Sequence, residues 1–349
     1  MAGLCAAARA RELGAHPVVF EKGDRPGGSM VLSSGVVWRY REWDEFRRQC
    51  PRGDPELQRL VFDRLDEALA WLRRLGAPVV EPETRNPLTT GVRFDPQGLT
   101  RTLVQAAGDV RLSSTCDDAT ILATGGFHAS AELVERLIAP AAPLALRANP
   151  WSDGEGLRAG LARGGACSDG MAEFYGRAMP DTDFGPEDFV PLAQLYAHRA
   201  AVFDEDGEEV PIDPDDWSET RIVQAIARRP GGAAWYVLDD AALADPDVAG
   251  QVECARAARG TVISADELPF RVPSAARQAV RVRASITHTI GGLRVDPSAR
   301  VVGGDGAPLD GLFAAGADVG GISTGGYASG LAQALVLGLV AAESVADAP

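Results

Sequence analysis

The sequence predicts an α/β fold in two domains, and three observations predict it. An alanine-rich helical stretch, Ala2 to Leu13, is stopped by Gly14 and followed at once by a short strand, His16 to Phe20 (HPVVF), ending in the acid Glu21. A second apolar run, Ala119 to Ala123 (ATILA), has the composition of a buried strand and enters the turn TGGF. The chain has 349 residues, long for one core and ample for two domains.

The remaining elements follow in order. Residues 54 to 75 carry apolar side chains at 57, 60, 61, 65, 68, 69 and 72, which is helical spacing, and Gly76 ends that helix. Ala129 to Ile138 and Asp153 to Gly165 are predicted helices. The Pro- and Asp-rich stretch from Pro180 to Pro191 suggests a crossing between domains. Beyond it, short strands (Ala201–Phe203, Trp235–Leu238) mix with a helix over Glu219–Arg229. At Ser285 the character changes again: SITHTIGGLRVD, then the strand GLFAAG, then a last helix from Ser329 to about Val345.

Composition excludes some partners. The apolar fraction is 46% and the charged fraction 24%, ordinary for a globular protein. Net charge is −15, with a pI near 4.8. Such a surface repels phosphate backbones and anionic membranes, so no nucleic acid partner is expected. Five cysteines, at 5, 50, 116, 167 and 254, show no CxxC pair and read as free thiols in a reducing compartment. The N-terminal MAGLCAAARARELG lacks the basic start of a signal peptide. The apolar run Gly330 to Ala342 is too short to span a bilayer. The expectation is a cytoplasmic protein with no membrane span.

A dinucleotide site in a βαβ unit needs glycines in its first turn, a helix N-terminus facing the pyrophosphate, and an acid ending the second strand. Gly3 stands where the third glycine of GxGxxG belongs, 18 residues before Glu21. The first strand and the first two glycines of that pattern are not in the chain. Taken alone, the segment also fits a plain helix–strand pair with a surface glutamate.

Four further segments carry a resemblance: FEKGDRPGGSM (20–30), ATILATGGF (119–127), SITHTIGGLRVD (285–296) and GLFAAGADVGGISTGGYASGLAQAL (311–335). Their order resembles that of the FAD-dependent fumarate reductase, succinate dehydrogenase and 3-ketosteroid dehydrogenase flavoproteins. The resemblance implies a Rossmann-like FAD-binding domain with a parallel sheet in three layers, of glutathione-reductase type, and an inserted α+β capping domain. The FAD domain would comprise residues 1–183 and 284–349, and the cap 184–283. It implies FAD as cofactor, held by Gly3, Glu21, Lys22, Gly27, Gly28, Ser29, Met30, Thr124, Gly125, Gly316, Asp318, Ser329, Gly330 and Leu331. Glu21 would bind adenosine ribose hydroxyls and Asp318 a ribityl or ribose hydroxyl. The amides of Ser329 to Leu331 would face the flavin N1–O2 edge, where a helix N-terminus stabilises negative charge.

The implied reaction is dehydrogenation of a CH–CH bond, or reduction of C=C, beside a carboxylate or carbonyl, by hydride transfer at flavin N5. The partners would be a small carboxylate or ketone and an unidentified electron acceptor or donor. His288 in THTIGG matches the family's substrate-binding histidine. Tyr175 and Tyr327 are the remaining catalytic candidates, with Arg177, Tyr196, His198 and Arg199 nearby in sequence; no metal site is expected. The chain departs from the fumarate reductase pattern at Ala328, where that pattern has an arginine, and WYVLDDAALA lacks its arginine proton donor. It also lacks the ketosteroid tyrosine pattern. Against the family it is short at the first strand, between Arg101 and Asp118, and between Ile263 and Arg283, so unpaired strand edges are expected. A degenerate flavoprotein without activity and an NAD(P)-linked dehydrogenase are the alternatives; the latter leaves the C-terminal segment unexplained.

Overall fold

The computed structural model describes residues 1–138 and 143–347. The chain divides into two compact units. The first comprises Met1–Val134, Asn149–Glu173 and His288–Pro349; the second comprises Glu135–Ala148 and Phe174–Thr287. The division is discontinuous, and the second unit takes in a segment, 135–148, that sequence alone assigned to the first domain.

In the first unit, helix Ala2–Glu12 packs against helix Pro96–Ala107 and the last helix, Gly330–Asp347. Close approach of the first and last helices depends on Gly338, where a Cβ would lie 2.6 Å from the Ala2 carbonyl oxygen. The last helix is long and apolar enough to cross a membrane by length and composition, and Ala332 to Ala342 are buried in the protein, as befits a core helix. Helix Pro55–Arg74 starts at Asp54, whose Oδ1 accepts the Glu56 and Leu57 N–H groups at 2.9 and 3.1 Å. Its buried residues include Leu57, Val61, Leu65, Ala68, Leu69 and Leu72, the stripe its sequence spacing predicts.

Among the described residues, two pairs of strands in this unit are parallel. Strand Val18–Phe20 pairs with Asp109–Arg111, and Ile121–Leu122 pairs with the strand Pro308–Ala314 at Phe313 and Ala314. The two pairs belong to separate sheets. Val18 and Phe20 are each 38% exposed, the mark of a strand not covered on both sides. A three-stranded antiparallel sheet, in the order Val36–Tyr40, Thr89–Phe94, Val79–Glu81, completes the unit's strand pairing described here.

The second unit is built on the long strand Ala276–Ile286. Strand Ala233–Asp239 and strand Val262–Ser264 pair antiparallel to it, and Ala201–Phe203 pairs antiparallel to Ala233–Asp239. Phe203, Trp235, Val237, Leu268 and Ala279 form a core cluster on this sheet. Helix Thr220–Ala227 buries Ile222, Val223 and Ile226 against the long strand.

Candidate functional site

The first unit gathers most of the expected cofactor residues at its loops. Gly3 faces the strand of Ile121, where a Cβ would stand 3.4 Å from Ala123 Cβ. Glu21 follows strand Val18–Phe20, and one of its carboxylate oxygens accepts the Gly23 N–H at 2.9 Å. Lys22 is held between Asp153 (2.7 Å) and Glu155 (2.6 Å), so its ammonium is used within the protein. Gly27 and Gly28 take φ of +107° and +52°, which turns the chain into the 3₁₀ segment Gly28–Leu32. Met30 is buried, and Ser29 Oγ accepts the Asn149 Nδ2–H at 2.7 Å. A Cβ built on Gly28 would meet only Asn149 Nδ2, at 3.7 Å. That open approach to bare backbone is what a phosphate or ring system needs.

Asp318 organises the turn after strand Ile121–Leu122. It is 1% exposed. Its carboxylate accepts Thr124 Oγ1–H at 2.9 Å, the Gly126 N–H at 3.0 Å, and the Thr124 N–H. Burial pushes its pKa up, and these bonds pull it back. The Gly125 N–H is a further donor to the same carboxylate. Gly125 and Gly126 have φ of +99° and +87°, which lets their amides turn toward the acid. The last helix is tied to the same turn: Gln333 Nε2 donates to the carbonyls of Gly316 (2.9 Å) and Val319 (2.8 Å). Ser329 caps that helix, its Oγ accepting the Ala332 N–H at 3.3 Å.

His288 lies on the N-terminus of the last helix. A Cβ on Gly330 would come within 3.0 Å of His288 Cε1. The Tyr327 ring is 6.0 Å from the His288 ring, centroid to centroid. Tyr327 is fixed from behind, its carbonyl accepting the Tyr40 hydroxyl at 2.6 Å and its ring meeting Trp38 edge-on at 5.8 Å. Loss of hydration lowers the His288 pKa to about 4. The imidazole is therefore neutral at pH 7, and Leu331 follows it in the first turn of the helix. Tyr175 belongs to the second unit, where Arg177 stacks over its ring at 5.0 Å.

Three residues not singled out by sequence analysis complete the first unit's polar network. Asn149 donates to Ser29 and Ser152 and accepts the Trp151 and Ser152 N–H groups. Glu173 accepts from Arg52 and from the Gly325 N–H, both at 2.7 Å, and so fixes the GGYASG loop. His128 is 4% exposed, and its ring meets the Asn149 backbone without a well-formed hydrogen bond. Burial, reinforced by nearby His288, lowers its pKa to about 3. The only sequence signal for Asn149 was the turn composition of NPWSDG. His128 directly follows the ATILATGGF segment and Glu173 lies two residues before Tyr175, but neither carried a signal of its own.

These features fit FAD: an open glycine turn, an acid at a strand end, a carboxylate-organised Thr-Gly-Gly turn, a helix N-terminus beside it, and Thr289 Oγ1, 2% exposed and without a hydrogen-bond partner among the described residues. The comparisons agree. Residues 1–111 and 89–331 match the family described as FAD binding domain. A probable fumarate reductase of Shewanella frigidimarina is 21% identical over an alignment covering 99% of this chain and 73% of that protein. That alignment runs to 450 positions, so the relative carries insertions that this 349-residue chain lacks. An NADH:acrylate oxidoreductase of Vibrio harveyi is 45% identical over 65 residues, 18% of this chain and 6% of that protein. The open conformation of a flavocytochrome c3 fumarate reductase superposes with a TM-score of 0.75 at 18% identity, covering 99% of this chain and 76% of that one. A 3-ketosteroid-Δ4-(5α)-dehydrogenase from Rhodococcus jostii, solved with 4-androstene-3,17-dione, gives a TM-score of 0.69 at 18% identity, covering 99% and 94%. The chain belongs to the FAD binding domain family, with the fold shared by the fumarate reductase and 3-ketosteroid dehydrogenase structures it superposes on.

Proposed function

We propose that this protein dehydrogenates a CH–CH bond, or reduces a C=C bond, beside a carboxylate or ketone, with His288 orienting the substrate. The observation that carries the reading is the neutral His288 ring seated on the N-terminus of the last helix beside Tyr327. A neutral imidazole donates one N–H to a carboxylate or carbonyl oxygen. The helix end adds a partial positive charge at the same place, which favours an anionic substrate or a developing enolate. With its pKa near 4, His288 holds no proton to release at pH 7, so it binds and polarises but does not act as the acid.

When bound, FAD supplies the two-electron chemistry. In this reading Glu21, Gly27, Gly28, Ser29 and Met30 would hold it. Lys22 bridges Asp153 and Glu155 nearby. Thr124, Gly125, Gly316 and Asp318 shape the Thr-Gly-Gly turn and would hold it from there. The second unit serves as the substrate (capping) domain. The five free thiols suit a reducing compartment, and we assign the protein to the cytoplasm with a separate electron donor or acceptor.

The test is His288→Ala in FAD-loaded protein. Turnover is expected to fall roughly 100-fold while the flavin spectrum stays intact. Unchanged turnover, or loss of FAD from the variant, would remove His288 from the substrate role.

A further inference from the structure

Within the first unit, the loop ahead of the last helix, Gly321 to Tyr327, is pressed against the turn Cys50 to Asp54. The Asp54 N–H donates to the Gly321 carbonyl at 2.7 Å, and the Arg52 N–H to the Thr324 carbonyl at 3.2 Å. Gln58 Nε2 donates to the Ile322 carbonyl at 2.8 Å. Bare backbone makes this approach possible. A Cβ on Gly326 would collide with the Gln49 carbonyl oxygen. One on Gly325, whose φ is +89°, would lie 3.1 Å from Pro51 and 3.4 Å from Arg52 Nε.

An exposed cation stands where loop and turn meet. Arg52 Nη2 bonds Glu173 Oε1 at 2.7 Å, yet 68% of the Arg52 side chain is exposed. Glu173 is covered, its side chain 11% exposed, and its other oxygen accepts the Gly325 N–H at 2.7 Å. The carboxylate is therefore spent inside the protein, and the guanidinium faces outward from it. Arg47 adds a second positive charge behind the turn. It donates to the Pro51 and Gly53 carbonyls and to the Gln58 side chain, all of them uncharged. In a protein of net charge −15, two arginines on one turn make a local positive spot.

Two routes tie that spot to His288, all within the first unit. Along the loop, Tyr327 comes two residues after Gly325, and its ring is 6.0 Å from the His288 ring. Along the strand, the Glu173 carbonyl accepts the Ile290 N–H at 3.0 Å. Ile290 comes two residues after His288, a reach of at most about 7 Å.

We infer that Arg52 is the specificity-determining residue that binds the substrate's carboxylate, so that the substrate is an acid and not a neutral ketone. The inference rests on the reaction proposed above and narrows its substrate class. His288 offers a hydrogen bond without a charge; Arg52 supplies the charge. A guanidinium fork matches a carboxylate with two parallel N–H bonds, which a ketone cannot use. Glu173 holds the guanidinium in place beforehand, so less freedom is lost when the acid binds. Arg52 transfers neither proton nor electron.

The experiment is anaerobic reoxidation of the reduced, FAD-loaded protein over a range of acrylate, fumarate and 4-androstene-3,17-dione concentrations. Calorimetry follows fumarate binding to the oxidised protein. In the wild type, the half-saturating concentration of the acids should rise with ionic strength. Arg52→Gln should raise it, and the Kd for fumarate, roughly 30-fold. The limiting rate should stay within about threefold, with the flavin spectrum and Tm preserved. Arg52→Lys keeps the charge and loses the fork, so it should weaken acid binding only about fivefold; it carries the test should the first variant fail to fold. Acid binding within about twofold of wild type in the folded variants would overturn the inference alone. So would a limiting rate that falls as far as the half-saturating concentration rises, since Arg52 would then only prop the loop. Reoxidation by the dione and by neither acid would also overturn it while the proposed reaction stands. Failure of the wild type with every probe would overturn the proposed reaction, and this inference with it.

Discussion

His128 is a buried histidine that stays neutral because protonating it in place is unfavourable, and stability should record that. Its pKa is depressed from 6.5 to about 3, so the unfolded chain binds more protons between those values. Its share of stability is present above pH 6.5 and lost as pH falls toward 3. His288, depressed to about 4, loses its share in the same direction. Glu219 works oppositely: raised from 4.5 to about 7, its share is complete below pH 4.5 and gone once pH passes 7. His128→Phe should therefore flatten the acid side of the stability curve, with a gain of about 2 kcal/mol at pH 5 relative to the change at pH 8. Chemical denaturation at the two pH values checks it; an equal effect at both would show that His128 is not buried neutral. Residues of this kind were hard to read from sequence. Glu219 stood in a segment with an ordinary helix reading, and His128 and Glu173 stood between the elements read from sequence. What makes them unusual is burial by residues far away in the chain. Glu21, Asp318 and His288 were legible because a motif fixed their position, yet the three bonds that Asp318 makes to Thr124 and Gly126 span over 190 residues and left no local signal.

At the scale of elements, the last helix is the part on which the candidate site most depends. It presents Ser329, Gly330 and Leu331 at its N-terminus, backs His288, and is latched by Gln333 to the carbonyls of Gly316 and Val319. Gln333→Leu leaves two buried carbonyls without that donor and should destabilise the protein by about 2 kcal/mol. It should also weaken FAD retention, because the latch sets where the helix end lies against the Gly316–Asp318 turn. A thermal melt with and without FAD separates the effects; an unchanged FAD-dependent shift would show that the latch is structural only. This helix, the helix from Pro55 and the strand at Val18 were legible because period, cap and terminal acid agreed. The strand at Ile121 is shorter than its apolar run, Ala119–Ala123, because only Ile121 and Leu122 have a partner at Phe313 and Ala314. The inclusion of 135–148 in the second unit was not legible, since its pairing partner for Ala145 and Leu146 is the distant pair Ser285 and Ile286.

Across the whole molecule, the first unit holds the glycine turns, Asp318, the helix end and His288, and the second holds Arg177, Glu219 and Tyr236. The residues of the first were open to proposal from sequence because glycines and helix ends recur at fixed spacing; a buried acid in a sheet-and-helix unit has no motif. The parallel strands lie as two separate pairs, with Val18 and Phe20 each 38% exposed. The reaction proposed for the cofactor residues and His288 is the point to test. The decisive measurement is the visible spectrum of the reduced, FAD-loaded protein mixed anaerobically with acrylate, fumarate or 4-androstene-3,17-dione. The account predicts that at least one of them restores the oxidised-flavin absorbance with formation of the saturated product; a spectrum that stays bleached with all three would contradict it.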